Sequence, residues 1–342
     1  MDSVTHLLAG ACIAAAIAPP AQRRLALGAG ALLNTLPDVD YLWLAFADPV
    51  SRFVSHRGFT HSLFVLPFAA IACWLLLRRF APVTRASPGR WLAICVATLL
   101  AHPLLDAMTV YGTQLFWPFA DAPVMHANLF IIDPLLTLPL LVGVAGAWRL
   151  GADPRGQGRV LMALALAATY IGWTLIAKQH LDTTVRAHFA AKGAPDIELL
   201  TVPTPFNSVL WRVLVMSGDA YAEGYYSFLG AGKLELQAYP GQRALPEPLA
   251  SSDAAVRLKT FTRGYYRIDR VGDRYVFVDL RMGAEPDYVF RFAIGEVRDG
   301  RVEVLEPPEQ YPWPRRLREQ LARVRAKLFV SRAIDARADG ST

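Results

Sequence analysis

The chain has 342 residues, 54% of them hydrophobic and 19% charged, with a net charge of +6. The charges are unevenly divided: residues 1–180 hold 12 Lys/Arg and 8 Asp/Glu, with no Glu, whereas residues 181–342 hold 23 and 21. A soluble domain carries roughly 25% charged residues, so one uniform soluble domain is excluded, and apolar residues throughout exclude disorder over most of the length. The expected architecture is an α-helical membrane bundle of about six spanning or partly spanning helices over residues 1–180. A small mainly-β extracytoplasmic domain with a C-terminal helix follows over residues 200–342.

In chain order, the apolar stretches are Val4–Ala18, Leu25–Leu36, Ser62–Leu77, Trp91–Leu105, Phe130–Trp148 and Val160–Ala177. Crossing a hydrocarbon core takes ~20 apolar residues, which the last two approach. The first covers only about 22 Å at ~1.5 Å per residue. Such short spans predict that one end of the bundle stops below the bilayer surface and leaves a recess for polar groups.

The connecting loops Ala21–Arg24, Arg78–Arg90 and Arg149–Arg159 carry nine arginines against one acid, Asp153. The opposite helix ends carry Arg52 and Arg57 with Asp2, Asp38, Asp40, Asp48, Asp106, Asp121 and Asp133. Cationic residues are retained on the cytoplasmic side. A multi-pass membrane protein is therefore expected, with its N-terminus, its acidic ends and its C-terminal domain extracytoplasmic. The same asymmetry accounts for the basic net charge without nucleic acid. Ala16-Ile17-Ala18 resembles a signal-peptide cleavage site, but no cationic segment precedes the apolar run, so an uncleaved helix is the better reading.

Beyond Lys178 the pattern changes. His180–Lys192 is polar and Thr201–Asn207 reads as a Pro-containing linker. Strand chemistry then marks Val209–Met216, Ala220–Leu229, Lys233–Tyr239, Val256–Ile268, Arg274–Met282, Tyr288–Val297 and Val302–Leu305. Hairpin turns are expected at Val271-Gly272-Asp273 and Arg298-Asp299-Gly300. Leu317, Leu321, Val324 and Leu328 form one stripe of a terminal helix, Pro314–Ala336, that packs on the sheet or meets anionic headgroups. Cys12, Cys73 and Cys95 lie in apolar runs without a CxxC spacing and read as core residues.

The chemistry falls at the acidic helix ends. His6, His56, His61 and His102 occur there in the segments MDSVTHLL, NTLPDVDY, HRGFTHS and HPLLD, of which the second adds Asp38 and Asp40. Alternating helix directions bring these four stretches to one level. His102 and Asp106, four residues apart, share a helical face. Asp38 and Asp40 point the same way if their segment is extended, and one of them could bridge two ions. Gly58 allows a turn between His56 and His61, and His61 would open the third helix. His6, Asp38, Asp40, His56, His61, His102 and Asp106 form a nitrogen and oxygen donor set suited to Zn²⁺, with Mn²⁺ or Fe²⁺ acceptable. The set is too large for one tetrahedral ion, so two or more are expected, as in phosphoester hydrolysis. Asp40 and Arg57 are the candidate catalytic residues, Arg57 as a counter-charge for phosphate oxygens. His126 is a weaker peripheral candidate, Asp133 suits a helix cap, and His180 and His188 read as surface residues.

Taken together, MDSVTH, PDVD, HRGFTHS, HPLLD and the following YGTQLFWPF resemble the YdjM-like family of inner-membrane proteins, to which metal-dependent hydrolysis is ascribed. The likeness covers about the first 180 residues, and the long members with a C-terminal soluble domain are the most similar. The family is thought to be distantly similar to zinc-dependent phospholipase C and P1-type nucleases. That resemblance implies His6, Asp38 or Asp40, His56 or His61, His102 and Asp106 as ligands. An acidic residue is expected where this chain has Met125-His126-Ala127-Asn128. The expected function is a membrane-bound metal-dependent hydrolase of phosphoesters, with membrane lipids as partners and a lipid-linked phosphoester as substrate. The alternative is a non-enzymatic metal-binding membrane protein acting in structure, sensing or docking. Transport would need acids at helix centres toward the cytoplasmic side, and none is found there.

Overall fold

The structure, a computed structural model, describes residues 1–230 and 234–312 and, beyond them, positions 319, 322, 326 and 327. Two compact units emerge: Met1–Ala47 with Ser51–Thr174, and Asp48–Val50 with the residues from Leu175 onward. Most of the expected terminal helix, Pro314–Ala336, lies outside the described residues.

Eight helices form the N-terminal part: α1 (Ser3–Ile17), α2 (Arg23–Thr35), α3 (Tyr41–Leu44), α4 (Pro49–Ser55), α5 (Leu66–Phe80), α6 (Pro88–Ala107), α7 (Pro134–Leu150) and α8 (Pro154–Ala190). Among the described residues, α6 with 20 residues and α8 with 37 are long and apolar enough to cross a membrane. Pro49–His61 and Leu66–Phe80, bent by 64°, add a third span if they are one broken helix. At 15 and 17 residues, α1 and α7 are shorter apolar helices.

The core forms around α1 because its side chains are small. Gly10 and Gly30 let α1 and α2 approach so closely that a Cβ on Gly10 would sit 2.2 Å from the Gly30 carbonyl oxygen. Close backbone approach of this kind is how helices associate where lipid provides no hydrophobic drive. Ala9, Cys12 and Ala15 of α1 pack with Leu136 and Leu140 of α7 and Val160 and Ala163 of α8. Ala14 and Ala18 pack instead with Ala26, Leu66, Trp91 and Leu99. Cys12 and Cys95 are buried and all three cysteines are free. Asp2 caps α1 by accepting from the amides of Val4 and Thr5, and Asp133 caps α7, as its position before Pro134 suggested. Arg23, counted among the loop cations, is buried and donates to the carbonyls of Gly151 and Asp153. It fastens the turn between α7 and α8 as well as contributing charge.

In the second unit the C-terminal part of α8 (Ala177, Leu181, Val185) covers Trp211, Val213, Val215 and Tyr226. These belong to an antiparallel sheet of β1 (Glu198–Pro203), β2 (Leu210–Ser217), β3 (Ala220–Ser227) and β4 (Glu235–Pro240), in that order. Two helices follow, α9 (Glu247–Ala250) and α10 (Asp253–Thr262). The second sheet is built from β5 (Tyr266–Val271), β6 (Arg274–Asp279), β9 (Arg291–Arg298) and β10 (Arg301–Gln310), in the order β10-β9-β6-β5. A small hairpin of β7 (Gly283–Ala284) and β8 (Asp287–Tyr288) is inserted between β6 and β9. Both expected turns occur: Gly272 joins β5 to β6, and Asp299-Gly300 joins β9 to β10 with φ of 49° and 76°.

Local details differ from the expectations. Val256–Ile268 is not one strand: residues up to Thr262 belong to α10, whose amide at Ala255 is capped by the Ser252 hydroxyl. Thr201–Asn207 is half strand, since Thr201 to Pro203 complete β1. Asp38 and Asp40 lie in a 3-10 turn, Leu36–Asp40, and not in an extended segment. His61 ends another 3-10 turn, Phe59–His61, and α5 begins only at Leu66.

Candidate metal centre

Each candidate ligand sits on backbone held by other contacts. His6 lies in the first turn of α1 below the Asp2 cap. Asp38 and Asp40 come from the tight turn that leaves α2 at Pro37. His56 and His61 flank a bend in which Arg57, not Gly58, takes the left-handed conformation, at φ 67°. That geometry costs a non-glycine residue roughly 1–2 kcal/mol. It is held by the Arg57 amide on Asp40 at 3.2 Å and by the Gln114 amide on the Arg57 carbonyl at 2.9 Å. His102 and Asp106 occupy one face of α6, which continues through Pro103 to Ala107.

Four donor atoms converge. The Nε2 atoms of His61 and His102 are 3.0 Å apart. Asp38 Oδ1 lies 3.5 Å from the first and 3.4 Å from the second. Asp106 Oδ2 lies 3.6 Å and 3.2 Å from the same two nitrogens. Ligands on a tetrahedral zinc at ~2.0–2.1 Å are about 3.3 Å from one another, so the arrangement has the dimensions of a coordination shell.

The hydrogen-bond inventory gives the same result. The Nδ1 of His102 faces the backbone carbonyl of Asn34, which can only accept, so Nδ1 carries a proton and, in the neutral ring that binds a metal, Nε2 a lone pair. The Nδ1 of His61 is 2.9 Å from the Thr60 hydroxyl, which itself faces Asp40 Oδ2 at 3.3 Å. With that hydroxyl donating to the carboxylate, His61 Nε2 also presents a lone pair. Two imidazole lone pairs thus meet beside two carboxylate oxygens, and Asp106 Oδ2, fully buried, has no hydrogen-bond donor. Buried acceptors without donors are costly, and a cation among them removes the cost.

A second group consists of Asp38, Asp40 and His56, whose ligand atoms also lie within 4.8 Å of one another. Asp38 is common to both groups, the position a bridging carboxylate would take. His56 Nδ1 contacts Asp40 at 3.1 Å and its ring lies on Tyr41, with centroids 4.1 Å apart. Asp38 is 22% exposed, whereas the side chains of His61, His102 and Asp106 are fully buried, so solvent reaches the centre beside Asp38.

The remaining residues surround this core. His6 joins neither group: its Nε2 contacts Asp106 Oδ1 at 3.2 Å and its ring stacks on His102, with centroids 3.8 Å apart. Arg57 is directed at Asp106, 3.0 Å away, and at the Thr109 hydroxyl, 3.2 Å away. The amine of Met1 also touches Asp106. His126 is exposed and joins neither group, and Asn128 is buried against Thr174. Sequence reasoning did not single out Thr60 as the His61 partner, or Asn34, whose carbonyl orients His102 and whose amide holds the His6 carbonyl at 2.6 Å. Both stand within or beside the quoted motifs, but only the fold shows which atom each one holds.

Comparison with known proteins adds to this. The family profile described as "YdjM inner membrane protein" matches residues 1–181. YfhP of Bacillus subtilis is 23% identical over 308 residues, covering 85% of this chain and 89% of YfhP. The inner membrane protein YbcI of Escherichia coli is 35% identical over 121 residues, 34% of this chain and 68% of YbcI. Inner membrane protein YdjM of the same organism is 35% identical over 92 residues, 24% of this chain and 44% of YdjM. No solved structure matches the chain.

Proposed function

The chain belongs to the YdjM inner membrane protein family, and from that premise we propose that it is a metal-dependent phosphoester hydrolase of the membrane, acting on a lipid-linked substrate. The observation that carries the reading is the pair of imidazole nitrogens 3.0 Å apart between two aspartate oxygens, one of which lacks a donor. Zinc suits this donor set best, with manganese or iron as alternatives.

The two groups differ in a way that assigns them roles. Four protein ligands make a closed site, the form structural zinc takes; catalytic sites keep a position open. His61, His102, Asp38 and Asp106 are the closed set, and Asp38, Asp40 and His56 offer three ligands and an open side. A divalent ion held there would supply Lewis-acid activation of water and stabilise charge on phosphate oxygens. Within the protein, Asp40 is oriented by the Arg57 amide and the Thr60 hydroxyl and in turn fixes the His56 ring. Arg57 balances Asp106 and so positions a ligand carboxylate. The arginine-rich loops and acidic helix ends support a multi-pass arrangement with the centre and the C-terminal domain outside the cytoplasm.

Elemental analysis of the purified full chain tests the reading, followed by hydrolysis of bis(p-nitrophenyl) phosphate. At least one equivalent of zinc, manganese or iron, with turnover lost on chelation and restored by the metal, is expected. Absence of stoichiometric metal overturns it. Metal without turnover of any phosphoester favours the second reading, a metal-binding membrane protein without catalysis, to which the closed four-ligand set also lends itself.

A further inference from the structure

Beside the three-ligand group lies an open pocket of about 240 Å³. Asp40 and Gln114 line its polar part, and Trp43, Leu44, Phe59 and Trp117 supply apolar walls. We propose that this pocket is the subsite for the apolar chain of a lipid-borne phosphoester, an inference that rests on the hydrolase reading above and specifies its substrate class.

Three observations support that occupant. The first is adjacency: Asp40 belongs to the three-ligand group and to the pocket lining, so a phosphate at the ions would place its ester substituent among these side chains. A small soluble phosphate would leave the apolar walls wet. The second is that the walls are held in place. The Ser62 hydroxyl donates to the Trp117 carbonyl at 2.6 Å, the Leu63 amide donates to the Leu115 carbonyl at 3.0 Å, and the Phe59 ring stands edge-on to Trp117 at 5.3 Å. Arg52 donates to the carbonyls of Leu44, Ala45 and Ala47, which fixes the end of α3 that carries Trp43 and Leu44. The third is the surrounding surface. Phe46 is 92% exposed and Phe119 77%, and Phe119 pairs edge-on with Phe64 at 5.0 Å. Trp43, which lines the pocket, is itself half exposed, and tryptophan is enriched where acyl chains meet headgroups. On the proposal, lipid chains would enter the pocket from this surface.

The test uses the full chain, loaded with zinc and held in an amphipathic polymer in place of detergent. Binding of dihexanoylphosphatidic acid and of glycerol 3-phosphate, which share the phosphomonoester, is compared by calorimetry. A preference of about tenfold or more for the acylated compound is expected, since burying even two methylenes supplies that factor. Phe59→Ser and Trp117→Ala should each bring the ratio toward one. Phe59 is half exposed, so its substitution disturbs little packing, and retained zinc content serves as the folding control. Equal affinities in the parent, or a preference that survives both substitutions, overturn the subsite. If the preference is found but no phosphoester is hydrolysed, the subsite stands and the hydrolase reading fails.

Discussion

Two buried charged clusters, one in each unit, can be set side by side. In the β unit, Arg212 meets Glu223 at 2.7 Å and Tyr288 donates to the same carboxylate at 2.9 Å. Arg267 and Tyr221 converge on Glu285 at 2.7 and 2.6 Å, and Arg281 pairs with Asp279 at 2.8 Å. There, donors face acceptors and cations face anions. In the helical unit, two aspartates and two imidazole lone pairs crowd around a point, with Arg57 and the Met1 amine engaged on Asp106. A cluster whose charges match closes on itself and holds two sheets together, because Arg212 also donates to the carbonyl of Leu280 at the end of β6. A cluster of surplus acceptors needs something from outside. That difference, more than the presence of histidines, separates a structural network from a cation site.

The contrast can be broken at either end. The largest effect is expected in the β unit, where Glu223→Gln leaves the buried Arg212 without its counter-charge. Removing one partner of a buried pair costs about 3–5 kcal/mol, whereas replacing both with apolar residues of similar volume is close to neutral. Denaturant unfolding of the full chain should show this loss for the single variant, its recovery in Arg212→Met/Glu223→Leu, and unchanged metal content in both. At the other end, His102→Ala should weaken metal binding by more than about 100-fold, since even the partners that orient ligands are worth ~10–100-fold. Competition with a chromophoric chelator reads the affinity. The metal-free form of His102→Ala should lose less stability than Glu223→Gln, because the change removes one of two opposed lone pairs.

Much of this was readable before the fold was known, and the reasons are specific. The motifs holding His61, His102, Asp38 and Asp106 lie at the ends of apolar runs, where charge is expensive and hence informative. Alternating helix direction was enough to bring those ends together. The path of the chain between the helices was less legible. The Asp38–Asp40 segment reads as extended after Pro37, but the chain turns there in a 3-10 helix that buries Asp40 and leaves Asp38 partly exposed. Val256 and Phe261 suggest a strand by composition, yet Ala255, Leu258 and Phe261 recur at helical spacing behind a Ser252 cap, and that local signal prevailed. His6 and Arg57 both meet Oδ1 of Asp106, on the side away from the Oδ2 that faces His61 and His102. That information resides in helix packing and in no local motif.

The packing itself offers the next test. A Cβ at position 30 would stand 2.3 Å from the Gly10 carbonyl oxygen, so Gly30→Ala must push α1 away from α2. Overpacking of this kind costs about 1–3 kcal/mol. Because α1 carries His6 and the chain leaving α2 carries Asp38, the variant should lose thermal stability and metal affinity together. Gly28, whose Cβ would meet nothing within 4 Å, is the control: Gly28→Ala should change neither.

The smallest expected change is the most discriminating. Thr60 contributes one hydroxyl between His61 Nδ1 and Asp40 Oδ2. Thr60→Val keeps the shape of the side chain and removes only that link, so a purely structural role predicts little effect on affinity. If the hydroxyl sets the His61 tautomer, Nε2 is no longer held as a lone pair facing the centre, and metal affinity should fall about tenfold. Thr60→Ser should restore it, since the oxygen returns without the methyl group. Chelator competition on the three proteins, with thermal unfolding as the control, separates the two outcomes. Equal affinities for Thr60→Val and the parent would mean that the donor set is oriented by its helices alone.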